Sequence, residues 1–392
     1  MPEPIIIVGA GQSAAQAIAS LRGEGYDGPI QLFGDEPFLP YQRPPLSKAF
    51  LAGETTPERL ELRPASFYDE KAVELQLGCR ILRIDPAARA IECARGRLWR
   101  YSKLLLTTGT RPRPLPLPGD ALEGVHHIRA IRDVERFRAE FSPGARLVII
   151  GGGYIGLEVA AKARKMGLDV TVLETADRIL KRVVTQETAA FLDALHKAHG
   201  VVIRTGVGVS RFVGEHRVEA AELGDGTRLA ADVVLVAIGA VPNTELAASA
   251  GLAVVNGIVV DAETRTSAPE IHAAGDVACF PSGLYGRPIR LESVQNANDQ
   301  AKAAVAALLG RPVVYDPVPW FWSDQYDAKL QIAGLSDGFD RVEVDSAADN
   351  TRFSARYFRA GKLIAVDSIN DPKAHLGARR ALAERIPPQE AA

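Results

Sequence analysis

Cysteine, methionine and tryptophan are scarce in this chain, with three, two and three residues among 392. Cys79, Cys93 and Cys279 include no CxxC or comparable pair. They supply neither the four thiolates of an ordinary iron–sulfur cluster nor a zinc site or a disulfide framework. Each reads as a small buried hydrophobe, and no metal site is expected. Electron chemistry, if there is any, must then run without a metal of the chain's own. No apolar run reaches the roughly 18–20 residues of a membrane-spanning helix. Net charge is also small, at -2, which argues against whole-surface attraction to nucleic acid or an anionic membrane. The opening MPEPIIIVGAG has neither a basic region nor a cleavage site, so a cytoplasmic protein is expected.

What is present is glycine in two particular places. Residues 5–14 read as a β-branched strand breaking into Gly9-x-Gly11-x-x-Ala14, with Ser13 inside the loop and a helical stretch after it. Gly9 permits the tight turn, Gly11 lets the backbone approach a pyrophosphate, and small Ala14 keeps helix and strand close. A second strand, Ile30–Phe33, runs into Gly34-Asp35-Glu36. One of these acids would grip a ribose hydroxyl, and Asp35 is favoured over Glu36. The pattern recurs at residues 146–174, with Gly151-Gly152-Gly153-Tyr154-Ile155-Gly156 and a strand ending in Glu174, 18 residues beyond Gly156. A carboxylate there accepts from a free 2′-hydroxyl and repels a 2′-phosphate, which favours NADH. A lone glycine fingerprint is weak, but two complete strand–turn–helix–strand–acid units suggest a flavin and a nicotinamide exchanging a hydride.

Size and composition, 47% hydrophobic and 24% charged, suit two or three globular domains. After the first unit comes a stretch rich in proline and arginine, residues 37–64, read as an ordered loop crossing a site, with Lys48 at its centre. Buried strands at Leu104–Leu106 and Asp232–Ile238 each break into a glycine, Gly109 and Gly239, as in a duplicated architecture. Residues 296–309 read as a helix. Beyond Pro317 the chain alternates like an antiparallel sheet. The fold expected is α/β, with two Rossmann-like dinucleotide-binding domains and a small C-terminal α+β domain.

These residues carry a resemblance. The two fingerprints, Thr107-Thr108-Gly109, and Thr266 through Ala274-Gly275-Asp276 resemble the pyridine-nucleotide–disulfide oxidoreductase superfamily. PPLSK at 44–48, GGGYIGLE at 151–158 and PWFWSDQY at 319–326 resemble its ferredoxin reductases, the putidaredoxin reductase and dioxygenase ferredoxin reductase group. The resemblance implies a glutathione-reductase-like arrangement. Residues 1–112 and 241–316 would form a discontinuous FAD-binding domain, 113–240 an inserted NAD-binding domain and 317–392 a C-terminal reductase domain. It further implies Asp276, after Gly275, on the FAD ribitol, and Val294, after Glu292 and Ser293, near the isoalloxazine. Lys48 would lie at the flavin N5 edge, paired with Glu158, with Ile81, Thr108, Gly109, Arg132 and Trp322 also lining the FAD site. Gly151 to Gly156, Glu174 and Gly239 would hold NAD.

One departure matters. Disulfide-reducing relatives carry a redox cysteine near the flavin, and Tyr41–Lys48 has none. Their C-terminal His–Glu base is also missing, because His375 stands without a match. The resemblance therefore implies electrons leaving singly for a separate two-iron two-sulfur ferredoxin, an acidic one, that serves a cytochrome monooxygenase or a ring-hydroxylating dioxygenase. Docking candidates are Arg287, Arg290, Lys302, Arg311 and Lys329, and a monomer is expected. His196 and His199 read as a surface pair. The rival readings are a flavin NADH oxidase or monodehydroascorbate-type reductase with a small-molecule acceptor, and a redox-controlled flavoprotein interaction module. The missing cysteine opposes the oxidase, and no targeting segment or long basic insertion supports the module.

Overall fold

In the computed structural model, which describes residues 2–347 and 351–384, two parallel five-stranded sheets repeat one plan. The first runs in the order Ile271–Ala273, Lys103–Leu106, Ile5–Val8, Ile30–Phe33 and Val73–Gln76. The second runs Val202–Thr205, Asp169–Glu174, Arg146–Ile150, Val233–Val236 and Val125–His126. Both central strands are β-branched and buried on both faces, as parallel strands covered by helices must be. The first loop helix, Gln12–Gly23, follows one central strand, and the second loop helix, Tyr154–Lys165, follows the other. Each unit also carries a three-stranded antiparallel sheet, at residues 81–100 and 209–230.

The chain passes between the units through two short strands that pair with each other, Thr110–Pro112 and Ala240–Pro242. Arg113 donates its backbone N–H to Gly239 O, and Asn243 donates its own to Gly109 O, so the glycines ending the two buried strands lock this double crossover. The helix read at 296–309 begins two residues earlier and spans Val294–Leu308, because Ser293 Oγ caps it by accepting from Asn296 N–H.

The proline-rich stretch folds into a 3-10 turn, Pro44–Ser47, and one short helix, Pro57–Leu60. Its apolar residues Leu46, Phe50 and Leu51 pack with Leu147, Ile149 and Val159 of the second unit, not with their own sheet. Burying each of these side chains is worth about 1.5–3 kcal/mol, so this segment fastens one dinucleotide unit to the other.

The last domain is an antiparallel sheet in the order Trp320–Gln325, Ala328–Gly334, Lys362–Ile369, Phe353–Arg359 and Arg341–Ser346, with helix Pro372–Ala383 on it. Leu330, Ile332 and Phe353 share a core with Leu157, Leu180 and Leu192 of the second unit. Beside that core Asp367 is buried, its Oδ2 accepting from Tyr357 Oη at 2.5 Å and Thr188 Oγ at 2.8 Å.

Burial pushes the Asp367 carboxyl up to about 7, against the opposing effect of those two hydrogen bonds. Between about pH 4 and pH 7 the folded protein therefore holds a proton that the unfolded chain has released, and this contribution to stability is lost as pH rises through about 7. Asp367→Asn keeps an acceptor without the charge. The melting temperature of the variant relative to wild type should rise by a few °C, on the order expected for this size of chain, between pH 5 and pH 8. An offset that is constant across that range would contradict the assignment.

Candidate active site

Each loop helix begins at a glycine in extended conformation, Gly11 or Gly153, with no side-chain cap, which leaves the first-turn N–H groups for a ligand. The preceding glycine has a positive φ in both, +109° at Gly9 and +107° at Gly151. A β-carbon there would strike Thr107 O at 2.3 Å or Ala237 O at 2.5 Å. At Gly11 and Gly153, in contrast, nothing lies within 4 Å of where a β-carbon would point. Those are the two places where a pyrophosphate must approach the backbone, so the cradles fit a dinucleotide in each unit.

The units then differ. In the second, Gly156 is obligatory, since its β-carbon would lie 2.3 Å from Gly151 O, whereas the first unit carries a fully buried Ala14. Glu174 ends its strand and braces the glycine turn, accepting at 2.8 Å from Gly152 N–H and at 2.9 Å from Ala176 N–H. Its counterpart by register is Gly34, because Val8 pairs with Phe33 as Ile150 pairs with Leu173. The acids of the first unit therefore follow the strand. Glu36 is engaged with Arg43 and Tyr41, and the neighbouring Asp35 side is exposed toward solvent.

Behind the first cradle, Gly275 approaches so closely that a β-carbon would meet Ser13 Oγ at 2.3 Å. Asp276 is recessed with about a fifth of its side chain open. Burial raises its carboxyl, and Arg129, 3.7 Å away, opposes that rise. Arg129 was not foreseen from sequence. It also stands beside Gly109, and its carbonyl accepts from Arg43 Nη1 at 2.7 Å. A run of arginines gives no sign of which one folds inward, and here it is Arg129. Arg132 lies exposed at the start of helix Ile131–Ala139, over the Phe38 ring. Thr108 Oγ donates to Asn243 O and Ile81 is buried in the first antiparallel sheet. Val294 opens its helix and Glu292 pairs with Arg290.

The centre of the site is a carboxylate. Glu158, 4% exposed, sits in the second turn of the second loop helix. Its Oε2 accepts from Lys48 Nζ at 2.7 Å and Ser47 Oγ at 2.6 Å, and its Oε1 from Ser323 Oγ at 2.7 Å. Lys162, an i,i+4 neighbour, turns instead to Glu54. Gln325 donates to Ser323 Oγ at 3.2 Å and bonds His196 Nε2 through its Oε1 at 2.9 Å. His196 is therefore fully buried, a correction to the surface pair, and burial lowers its imidazole to about 4 so that it stays neutral. His199 stacks on Tyr326 with ring centroids 3.7 Å apart.

The motif strand Trp320–Gln325 alternates as strands do. Phe321, Ser323 and Gln325 face the second loop helix, with Phe321 on Tyr154 at 4.6 Å. Trp320 and Trp322, 5.8 Å apart, take the other face, where the Trp320 backbone N–H reaches Gln295 in the first turn of helix Val294–Leu308. Arg379 covers Trp320 at 4.8 Å.

Residues 3–301 match the pyridine nucleotide-disulphide oxidoreductase family and residues 320–392 the reductase C-terminal family. The chain belongs to the pyridine nucleotide-disulphide oxidoreductases. It is 44% identical to rhodocoxin reductase of Rhodococcus erythropolis over 99% of this chain and 92% of that protein. To putidaredoxin reductase of Pseudomonas putida it is 42% identical over 98% and 92%. Its structure superposes with a TM-score of 0.95 and 41% identity on the crystal structure of the covalent putidaredoxin reductase–putidaredoxin complex, covering 98% of this chain and 94% of that one. The cofactors are accordingly FAD and NAD(H). Among the described residues no helix is long and apolar enough to cross a membrane.

Two substitutions probe the site. Gly11→Val and Gly153→Val each fill an open cradle at a backbone angle that any residue tolerates. The first should abolish FAD retention; the second should keep FAD and raise the KM for NADH more than about tenfold, the effect of about 1.4 kcal/mol. FAD retained by Gly11→Val would reverse the assignment of the cradles. Ser323→Ala leaves Glu158 Oε1 buried without its donor and should cost about 1–3 kcal/mol of stability. Ser323→Thr, which keeps the hydroxyl, should recover most of that in thermal denaturation.

Proposed function

We propose that the protein is an NADH:ferredoxin reductase, in which NADH is the two-electron donor and a two-iron two-sulfur ferredoxin takes electrons one at a time. The observation that carries this reading is the Lys48–Glu158 pair at the seam of the two cradles, with no cysteine in Tyr41–Lys48 to receive electrons internally. Bound FAD supplies the exchange between a two-electron donor and one-electron acceptors.

The protein's own contribution is placement and charge. The first cradle, with Asp35 on the ribose side and Gly275, Asp276 and Arg129 at the other end, holds FAD as a resident. The second, with Glu174 and Gly239, takes NADH transiently. Lys48 would lie at the flavin N5 edge, and Glu158 fixes where its side chain points. Hydride transfer requires no proton moved by a side chain, and the Lys48–Glu158 pair would serve to position charge.

Electrons would leave on the Trp320–Trp322 side, because that face of the strand looks away from the NAD-binding unit. An acidic ferredoxin would dock there, with Arg379 among the basic contacts and exposed Lys302 further along helix Val294–Leu308. Arg311 and Arg290 are less suited. Arg311 pairs with Glu24 at the far ends of both helices, on the order of 20 Å from their N-termini. Arg290 is 10% exposed and is spent on Asp276 O and Glu292. A cytochrome monooxygenase or ring-hydroxylating dioxygenase as the terminal enzyme, a monomeric state and a cytoplasmic location belong to the same reading.

The decisive experiment mixes the yellow holoprotein with NADH and compares ferricyanide, oxygen and ferredoxins as acceptors. Fast reduction of ferricyanide and of an acidic ferredoxin, with slow oxygen consumption, is expected. Rapid oxygen consumption without a partner would favour the oxidase reading. Arg379→Glu should raise the KM for ferredoxin and flatten its salt dependence, while Arg311→Glu and the ferricyanide rate stay unchanged.

A further inference from the structure

Two of the three cysteines, unpaired by sequence spacing, meet in space. Cys93 ends the strand Ala90–Cys93 and pairs with Ile81, and Ala94 N–H donates to Arg80 O at 3.0 Å. That register carries Cys79 alongside, diagonal to Cys93 on the same face, and both side chains belong to one apolar cluster. Cys93 is 4% exposed, while Cys79 is half-buried at the edge of the same cluster.

The surroundings split the pair. Burial opposes ionisation of Cys93, but the Arg95 N–H, 3.4 Å from its sulfur, with the Arg97 N–H, the Cys79 thiol and the Arg97 guanidinium, outweigh it and lower the thiol below its ordinary value. Burial and the neighbouring Cys93 raise Cys79. A sulfur held toward thiolate beside one held as thiol is the arrangement of an attacking and a resolving cysteine.

The pair is also tied to the first cradle. Cys79 donates its backbone N–H to Gly34 O at 2.8 Å, and Gly78 donates to Glu36 O at 3.0 Å. These bonds fix both ends of the turn that carries Asp35. We propose that Cys79 and Cys93 form an oxidisable dithiol, closed to a disulfide by hydroperoxides, and that closure loosens the Gly34–Glu36 turn and its hold on the adenosine end of FAD. The second half rests on the placement of Asp35 at the FAD ribose.

The chemistry balances with the peroxide as sole oxidant. The Cys93 sulfur attacks the terminal peroxide oxygen; an S–O bond forms, the O–O bond breaks, and the alkoxide or hydroxide leaves and takes up a proton. The Cys79 sulfur then attacks the Cys93 sulfur; the S–S bond forms, the S–O bond breaks, and water leaves with the Cys79 proton. The two sulfurs lose two electrons together and the peroxide gains them. Drawing the two sulfurs from diagonal positions into a covalent bond pulls Cys79 toward its neighbour strand and away from Gly34 O.

The test uses the holoprotein treated with hydrogen peroxide, alkylated with N-ethylmaleimide and mapped by mass spectrometry. A Cys79–Cys93 cross-linked peptide with Cys279 still alkylated is expected, reversed by dithiothreitol and absent in Cys79→Ser. FAD release, followed by the fluorescence of freed flavin, should quicken about two- to tenfold on oxidation, the effect of one lost hydrogen bond, in wild type but not in Cys79→Ser. Alkylation of all three cysteines after peroxide would overturn the dithiol. A disulfide with unchanged FAD release would overturn the coupling. Asp35→Ala serves as a separate arm: FAD release unaltered by that change would fault the ribose placement and leave the mapped disulfide standing on its own.

Discussion

A carboxylate removed from water is costly unless every oxygen is engaged, and removing one partner of such a pair costs about 3–5 kcal/mol. Glu158 meets that demand with three donors from two separate parts of the chain. Lys48 and Ser47 come from the proline-rich segment, and Ser323 comes from the C-terminal sheet. Those two segments are therefore held against the helix of Glu158, where the carboxylate can be satisfied. Their apolar neighbours do the rest, Leu46 and Phe50 on one side and Phe321 against Tyr154 on the other. Lys48 is thereby placed by a junction of both dinucleotide units and the third domain, so its position and the assembly of the domains rest on the same hydrogen bonds.

Around that junction the two dinucleotide units have diverged in ways that suit different tenancies. Both keep a strained first glycine and an open second one. Only the second brings helix against strand so closely that Gly156 is required, and only there does an acid at the strand end brace the glycine turn. The first unit instead gathers distant residues around its cradle, Ser13 against Gly275 and Arg129 against Asp276. More of the chain encloses the first cradle, whereas the second is built largely from one continuous unit.

The motif strand Trp320–Gln325 shows how one segment serves two ends. Its inward face completes the ion-pair network and continues through Gln325 to a buried neutral His196. Its other face carries the two tryptophans and, through Arg379, a cation at the surface. Alternation along a strand is what allows six residues to brace the ion-pair network on one side and carry the aromatic pair on the other.

The glycine fingerprints, the acid at the end of the second unit and the PWFWSDQY segment were legible because they are local: backbone angle, close approach and alternation are written in consecutive residues. The two-unit α/β plan and the small antiparallel domain followed from that same local patterning. What the sequence alone could not decide were pairings between segments far apart in the chain. Ser323 on Glu158, Arg129 beside Asp276, the burial of His196 and the approach of Cys79 to Cys93 all depend on which surfaces the folded domains press together. A side chain's partner across 165 residues is set by packing, and packing is a property of the assembled chain.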